Sequence, residues 1–294
     1  MKSFQGVFPA LLTPFDKTGA IAHDQLRKLV RMNLNKGVAG FYVGGSTAEC
    51  FLLSLDERKK ILETVIGEVN GAATVICHVG CIGFDQAAEL AAHAKACGAD
   101  AMSSIPPFYY NFTWDEIKAY YFWLVDKVDL PMFIYNFPGF SGVKLTVENV
   151  MTFLADSRFL GVKHTSSDYY MLERFKTARE NVIVYNGFDE MFLSGAAMGA
   201  DGGIGSTYNF MAEKFIRILD DVKKGDIGSA RREQHAANNI LQFLMRVGIM
   251  PGEKAALNMM GIDLGACRKP FRELTDAETK ELRVILTENG CEVE

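Results

Sequence analysis

The chain has 294 residues, enough for one large domain or two small ones, and its 49% hydrophobic and 23% charged residues are typical of globular proteins with a sizeable core. A formal net charge of −5 argues against nucleic acid or an anionic membrane surface as a partner. No apolar run is long enough to cross a bilayer, and the first segment lacks the apolar core of a signal peptide, so we predict a cytoplasmic location.

Eight short runs rich in β-branched or aromatic residues recur along the chain and are predicted to be strands. In chain order they cover residues 7–12, 40–44, 74–79, 101–105, 132–135, 159–163, 182–185 and 202–205. Most of them are continuously apolar, as expected for a parallel sheet that is covered on both faces.

Between these runs the apolar residues recur with helical spacing. Helices are predicted over residues 24–36, 56–69, 85–97, 114–127, 147–154, 169–179, 189–198 and 210–223. Ser54 followed by Glu57 is a capping-box signature for the second of them. Gly37, Gly98 and Gly199 stand where helices are expected to end.

Eight strand–helix units without a linker predict an α/β fold, a (β/α)8 TIM barrel over residues 1–225. An open doubly wound sheet is the main alternative, but eight units in this length fit a barrel better. Strand patterns end near Asp226. Helical patterns at 227–247, 252–260 and 276–288 predict that residues 226–294 are a C-terminal helical extension packed on the barrel.

Active sites of TIM barrels lie at the carboxyl ends of the strands, and Lys163 ends the predicted sixth strand. An amine in that desolvated position should have a lowered pKa and be nucleophilic near neutral pH. The alternative from position alone is a lysine at the surface just past a strand. Tyr135 ends the neighbouring strand and could move protons in the same cavity, or else fill the barrel core.

The turn Gly44-Gly45-Ser46-Thr47 follows the predicted second strand and offers backbone N–H groups and two hydroxyls. Such a turn can bind a carboxylate, although it can equally be a plain strand-to-helix connection. The lysine of a Walker phosphate-binding loop is missing after the glycines.

The six cysteines have no disulfide-framework spacing and are predicted to be reduced thiols. Cys77-His78-Val79-Gly80-Cys81 is the one cluster that suggests metal binding, but further ligands at a definite spacing are missing. We therefore predict no metal site and interpret the segment as small buried residues at the end of a strand.

Motifs along nearly the whole chain occur in a recognisable order, at residues 10–15, 42–47, 78–81, 107–110, 135–136, 141–146, 163–166, 185–190, 199–209 and 267–271. Together they resemble the dihydrodipicolinate synthase family, and within it the branch that cleaves N-acetylneuraminate. The resemblance implies a Schiff-base (class I) aldolase that reversibly splits this sialic acid into N-acetylmannosamine and pyruvate, without a metal or other cofactor.

The resemblance also implies a role for each site residue. Lys163 would form the imine, and Tyr135 would be the proton shuttle. Ser46 and Thr47 would bind the pyruvate carboxylate, with Ser46 also orienting Tyr135. The residues implied for the polyhydroxylated tail are Thr165, Gly187, Asp189, Glu190 and Ser206. Tyr109 resembles the tyrosine that reaches a neighbouring subunit's site, which implies a homotetramer.

Two positions depart from the pattern of this branch. Ala48 stands where glycine is common, so a positive φ there would strain the carboxylate-binding turn. His164 stands where glutamine is common, and strand alternation points it away from the cavity, so we expect modest tuning of the site and no new role.

Other functions stay open. Dihydrodipicolinate synthases usually carry an arginine shortly after the shuttle tyrosine, whereas this chain has Phe140 in that stretch, which disfavours a second substrate carboxylate. An aldolase for 2-keto-3-deoxy sugar acids would use the same lysine and tyrosine. A non-catalytic sugar-acid-binding protein would need neither residue.

Overall fold

A computed structural model describes residues 3–293 of the chain. Its strands are β1 (Gly6–Pro9), β2 (Gly40–Val43), β3 (Thr74–His78), β4 (Ala101–Ser104), β5 (Met132–Asn136), β6 (Phe159–His164), β7 (Ile183–Asn186) and β8 (Gly202–Gly205). All are parallel, in the order β1-β8-β7-β6-β5-β4-β3-β2. The Leu11 amide donates to the Tyr42 carbonyl at 3.0 Å, which brings β1 beside β2 and closes the ring.

The helices alternate with the strands and continue beyond them. They are α1 (His23–Asn35), α2 (Leu55–Val69), α3 (Phe84–Cys97), α4 (Trp114–Lys127), α5 (Pro138–Ser141), α6 (Val147–Leu154), α7 (Tyr169–Lys176), α8 (Phe192–Ala197), α9 (Tyr208–Lys224), α10 (Ile227–Val247), α11 (Ile249–Met259) and α12 (Asp276–Glu288). This is a (β/α)8 TIM barrel with C-terminal helices, as predicted.

Local sequence signals explain most helix ends. The capping box predicted at α2 is present: the Glu57 amide donates to the Ser54 hydroxyl at 3.2 Å, and the Ser54 amide donates to Glu57 at 2.8 Å. Gly98 ends α3 with φ +84°, a left-handed conformation that glycine adopts without steric cost.

Some predicted bounds were wrong. The first strand ends at Pro9, three residues short of the prediction. The helix predicted over 189–198 is a 3-10 turn, Asp189–Met191, followed by α8. The helix predicted to begin at Gly252 begins at Ile249, because Pro251 is tolerated in a first turn, where its missing N–H has no helical partner to lose.

The apolar core has two parts. One lies inside the ring and includes Phe8, Tyr42, Phe133 and Tyr185. The other, larger part fills the space between the strands and the surrounding helices. None of the helices within residues 3–293 is long and apolar enough to span a membrane. With its interior filled by side chains, the barrel offers its mouth, where the strands end, as the place for a site.

Candidate active site

Lys163 and Tyr135 lie side by side at the mouth of the barrel. They are register partners on the adjacent strands β6 and β5, so their side chains emerge on the same face. Both are buried. The Lys163 Nζ atom lies 4.1 Å from the centre of the Tyr135 ring and 4.4 Å from the centre of the Tyr42 ring. The amine is therefore held between two aromatic faces.

Burial lowers the pKa of Lys163 to about 7, because removing the ammonium from water disfavours its charged form. The negative charge of Asp189 acts in the opposite direction and moderates the shift. A substantial fraction of the amine is thus neutral at physiological pH, as the sequence position suggested.

Burial also raises the pKa of the Tyr135 phenol, so that it is protonated at neutral pH. The nearby hydroxyls of Ser46 and Thr165 act in the opposite direction. Thr165 Oγ1 is itself buried, and apart from its approach to the Tyr135 phenol it has no hydrogen-bond partner among residues 3–293.

The glycine-rich turn after β2 lies beside this pair. Gly44 has φ +73°, and Ser46–Ala48 form a single 3-10 turn whose first N–H groups have no partner within it. The His78 ring holds the turn from behind: Nδ1 lies 3.0 Å from the Gly44 carbonyl, and the Ile105 amide donates to Nε2 at 3.3 Å. This pairing fixes a neutral imidazole, and burial lowers the pKa of His78 well below its usual range.

Ala48 does not strain this turn. The left-handed conformation is adopted by the next residue, Glu49, at φ +60°. The Ala48 carbonyl accepts a bond from the Thr13 hydroxyl at 2.8 Å. The glycine common at position 48 in the family is therefore not required by backbone geometry in this chain.

Asp189 lies on the opposite side of the mouth, just after β7. One of its oxygens accepts bonds from the Thr207 amide at 2.9 Å and the Thr207 hydroxyl at 2.7 Å. Its other oxygen, Oδ1, has no partner within the described residues. Burial raises the pKa of Asp189 to about 6. A Cβ at Gly205 would lie 1.9 Å from Oδ1, so only glycine leaves room for this carboxylate.

A second glycine makes room for Thr165 in the same way. A Cβ at Gly187 would lie 1.9 Å from Thr165 Oγ1. The Glu190 side chain is half-buried beside these residues, and burial raises its pKa. These hydroxyl and carboxyl groups form a polar side of the mouth opposite the glycine-rich turn.

These groups surround one cavity of about 240 Å³. Every predicted site residue except Tyr109 lines it: Ser46, Thr47, Tyr135, Lys163, Thr165, Gly187, Asp189, Glu190 and Ser206. Tyr109 lies outside this cavity, is 83% exposed and has φ +77°. The approach of Tyr109 to the site of a neighbouring subunit stays a prediction.

Sequence reasoning missed the part that the C-terminal helices take in this site. Met245 on α10 and Met250 on α11 line the cavity as an apolar wall. On α10, Gln234 donates to the Asp189 carbonyl at 3.0 Å, and Asn238 donates to the Glu190 carbonyl at 3.1 Å. The only local signal was a pair of polar residues four apart on an otherwise apolar helix face.

Glu253 on α11 was also missed. It is fully buried near Ser206, and neither of its carboxylate oxygens has a hydrogen-bond partner within residues 3–293. Burial raises the pKa of Glu253 well above its usual range, because its carboxylate is removed from water. A charged residue type inside an apolar helical run was the signal that could have drawn attention to it.

Two further sequence expectations concern histidines. The His164 ring points away from the cavity, as predicted: Nδ1 lies 3.0 Å from the Asn136 amide nitrogen and Nε2 lies 3.0 Å from the Asp168 carbonyl. In the Cys77–Cys81 segment, both ring nitrogens of His78 contact backbone groups, and Arg58 donates to the His78 carbonyl at 2.8 Å. That segment is a buried strand end.

Residues 3–289 match the sequence profile of the "Dihydrodipicolinate synthetase family". The chain belongs to the dihydrodipicolinate synthetase family. The match extends from before β1 to the end of α12, so the barrel and the C-terminal helices are both part of the family pattern.

Several similar proteins are named N-acetylneuraminate lyase or sialic acid aldolase, and a structure of a dihydrodipicolinate synthase also matches, with a TM-score of 0.90 at 29% identity. The chain is 44% identical over 279 residues to an N-acetylneuraminate lyase of Rhizobium meliloti (strain 1021), which covers 95% of this chain and 93% of that protein. The crystal structure of CdNal from Clostridium difficile in complex with mannosamine superposes with a TM-score of 0.95 at 36% identity, covering 98% of this chain and 99% of that one. A catalytic lysine mutant of the Ruminococcus gnavus sialic acid aldolase superposes with a TM-score of 0.94 at 33% identity, covering 98% of each chain.

Proposed function

We propose that this protein is a class I aldolase that reversibly cleaves N-acetylneuraminate to N-acetylmannosamine and pyruvate, through an imine on Lys163. The observation that carries the proposal is the buried amine of Lys163, which has a lowered pKa and lies beside the Tyr135 side chain on the neighbouring strand. The named sialic acid aldolases among its relatives support the same reading.

In the first step, the neutral Lys163 Nζ adds to the C2 ketone of the open-chain sugar acid and gives a carbinolamine. The carbinolamine hydroxyl must leave as water, which needs a proton. Tyr135 is the donor, because its raised pKa keeps the phenol protonated until that point. The phenolate that results lies beside the positive charge of the new imine.

The imine is the electron sink for bond cleavage. The C3–C4 bond breaks, its electron pair moves toward the imine nitrogen to give an enamine, and the Tyr135 phenolate takes the C4 hydroxyl proton. The aldehyde product leaves, C3 is protonated, and hydrolysis frees pyruvate and the lysine. No metal is needed, because the imine nitrogen accepts the electrons that a zinc-dependent aldolase delivers to its metal-bound oxygen.

The two sides of the cavity divide the substrate between them. The substrate carboxylate binds the Ser46–Thr47 turn, whose N–H and hydroxyl groups favour an anion. The sugar hydroxyls bind the polar side, where Asp189 Oδ1 has no protein partner among residues 3–293 and Thr165 Oγ1 has none apart from its approach to the Tyr135 phenol. A site with such buried groups discriminates strongly against substrates that lack the hydroxyls.

Phe140 separates this proposal from the dihydrodipicolinate synthase reaction. Its ring lines the cavity and stacks on Phe137 with a centroid distance of 4.2 Å. An aromatic ring in this position offers no bidentate contact to a second substrate carboxylate. Together with Met245 and Met250 it forms an apolar wall that suits an N-acetyl group.

We also propose a homotetramer in which Tyr109 of one subunit approaches the site of another, in line with its exposed position. Light scattering of the purified chain tests the assembly, and a monomer with full activity would contradict it. The cytoplasmic location and the division of the chain at residue 225 remain predictions.

The direct test is reduction of the imine. The full chain is incubated with pyruvate and sodium borohydride, and the modified peptide is mapped by mass spectrometry. We expect the reduced pyruvyl adduct on Lys163 and none on Lys254, which is a buried lysine of the same chain. The absence of an adduct on Lys163 would favour a binding protein over an aldolase.

A second measurement tests the substrate. Initial rates of cleavage are compared for N-acetylneuraminate and 2-keto-3-deoxygluconate, and pyruvate condensation is assayed with aspartate semialdehyde. We expect N-acetylneuraminate to have the highest kcat/KM. A preference for either of the other two would keep the imine chemistry and replace the proposed substrate.

A further inference from the structure

Three side chains that can bind metal meet on the outer layer of the barrel, where α2 packs on α3. His93 and Cys97 lie four residues apart on α3, so they share one helix face. Glu63 faces them from α2. The His93 Nε2 atom lies 3.2 Å from Cys97 Sγ and 3.3 Å from Glu63 Oε1, and all three ligand atoms lie within 4.8 Å of one another.

No position of a single proton on His93 Nε2 gives both Cys97 and Glu63 a hydrogen bond to this atom. If His93 Nε2 carries a proton, it can donate it to Glu63 or to Cys97; if it does not, the thiol can donate to it and Glu63 is left facing a lone pair. A cation at the centre would satisfy all three atoms at once. Bonds of about 2.0–2.3 Å to a tetrahedral ion place its ligand atoms about 3.3–3.6 Å apart, close to the two distances from His93 Nε2, 3.2 Å and 3.3 Å.

A neighbouring turn of the same two helices shows an ordinary contact between α2 and α3. One turn earlier on both helices, Lys59 forms an ion pair with Glu89. At the Glu63–His93 level, the ammonium is replaced by an imidazole and a thiol. These are nitrogen and sulfur ligands that, with a carboxylate, suit zinc and its neighbours better than calcium or magnesium.

The site is also accessible. The His93 side chain is 20% exposed and that of Glu63 is 54% exposed, so an ion can enter from solvent and keep a water molecule as its fourth ligand.

We propose that Glu63, His93 and Cys97 form a binding site for one divalent zinc-type transition-metal ion, which links α2 to α3. This site is separate from the cavity at the barrel mouth, and it stands whether or not the aldolase proposal does. It differs from the Cys77–Cys81 cluster that the sequence suggested, because its ligands come from two helices and meet only through packing.

The test uses untagged, chelator-treated full-length protein. Co²⁺ is titrated while thiolate-to-cobalt charge-transfer absorption is recorded, and Zn²⁺ affinity is measured by competition calorimetry. We expect one equivalent of each metal. Cys97→Ser should remove the absorption band, and Cys97→Ser and His93→Gln should each weaken Zn²⁺ binding by about tenfold or more. Glu63→Gln should weaken it as well.

Two control variants leave the triad intact. His235→Gln changes an exposed histidine on α10, and Cys291→Ser changes another cysteine, so both should bind metal like the original chain. A protection experiment needs no variant: Zn²⁺ should slow alkylation of Cys97 by iodoacetamide. The proposal is overturned by the lack of a thiolate band, or by Zn²⁺ binding that neither Cys97→Ser nor His93→Gln changes.

Discussion

Two regions of this molecule each contain a buried lysine, but only one of the two lysines has a carboxylate partner at contact distance. At the barrel mouth, Lys163 faces the rings of Tyr135 and Tyr42. At the seam between α11 and the turn after β2, Lys254 forms an ion pair with Glu49 at 2.8 Å, with both side chains almost fully buried. Lys254 also donates to the Ala266 carbonyl at 3.1 Å.

The difference shows that burial alone does not make a lysine reactive. A buried ammonium with a carboxylate at contact distance is compensated by that partner and holds elements together. A buried amine between aromatic faces loses much of its affinity for a proton and becomes a nucleophile. The neighbours of a buried lysine therefore decide whether it stabilises the fold or can act as a nucleophile.

The paired region also supports the reactive one. Glu49 directly follows the Ser46–Ala48 turn, and its second oxygen accepts a bond from the Arg268 amide at 2.7 Å. The Arg268 guanidinium forms an ion pair with Glu57 and donates to the Leu52 carbonyl at 2.7 Å. The C-terminal segment thus fixes the back of the turn that is proposed to bind the substrate carboxylate.

Removing the reactive amine should have the largest effect. We expect Lys163→Ala to abolish turnover, since no other group can form the imine, while the fold is retained. Activity assays check the loss of turnover, and circular dichroism checks that the fold is retained. Loss of the native spectrum would mean that Lys163 is a structural residue like Lys254.

The Tyr135→Phe variant keeps the ring that faces the amine and removes only the hydroxyl. We expect kcat to fall by about two to four orders of magnitude, the usual contribution of a positioned acid–base group. Borohydride trapping with pyruvate on the same variant tells whether imine formation or cleavage is slowed. A near-normal kcat would assign proton transfer to another group.

Replacing each lysine by methionine should change stability in opposite directions. Lys254→Met leaves Glu49 buried without its partner and should lower the free energy of unfolding by about 3–5 kcal/mol. Lys163→Met removes an amine whose pKa in the fold, about 7, lies below its ordinary value of 10.5. The unfolded chain holds more protons between these values, so Lys163 costs stability at neutral pH, and this cost fades as pH rises toward 10.5.

Lys163→Met should therefore raise the free energy of unfolding at pH 7, on the order of 4 kcal/mol. Urea unfolding of both variants at pH 7 makes the comparison. Changes of the same sign in the two variants would remove the distinction between a paired and an unpaired lysine.

The smallest expected effect is a pH dependence. Below pH 7 the neutral fraction of Lys163 falls about tenfold per pH unit, so the initial rate of borohydride-trapped imine formation should fall in parallel and level off above about pH 8. A rate that still rises steeply to pH 10 would show an ordinary, solvated lysine.

Much of this protein could be read from the sequence because the relevant signals are local. The bounds of α4, α6, α10, α12 and β8 were predicted to the residue, since hydrophobic period and capping residues are properties of short segments. Strand ends and helix starts then placed Lys163, Tyr135 and the Ser46–Thr47 turn at one end of the barrel. The family motifs supplied the proposed roles.

Tertiary structure alone decided what surrounds each of these groups. The Tyr42 ring over Lys163, the His78 support of the turn after β2, and the wall formed by Met245 and Met250 join residues far apart in the chain. The Glu63–His93–Cys97 cluster has the same origin. A linear pattern determines which face of a segment is apolar, but the pKa of an amine or the convergence of ligands depends on which faces pack together.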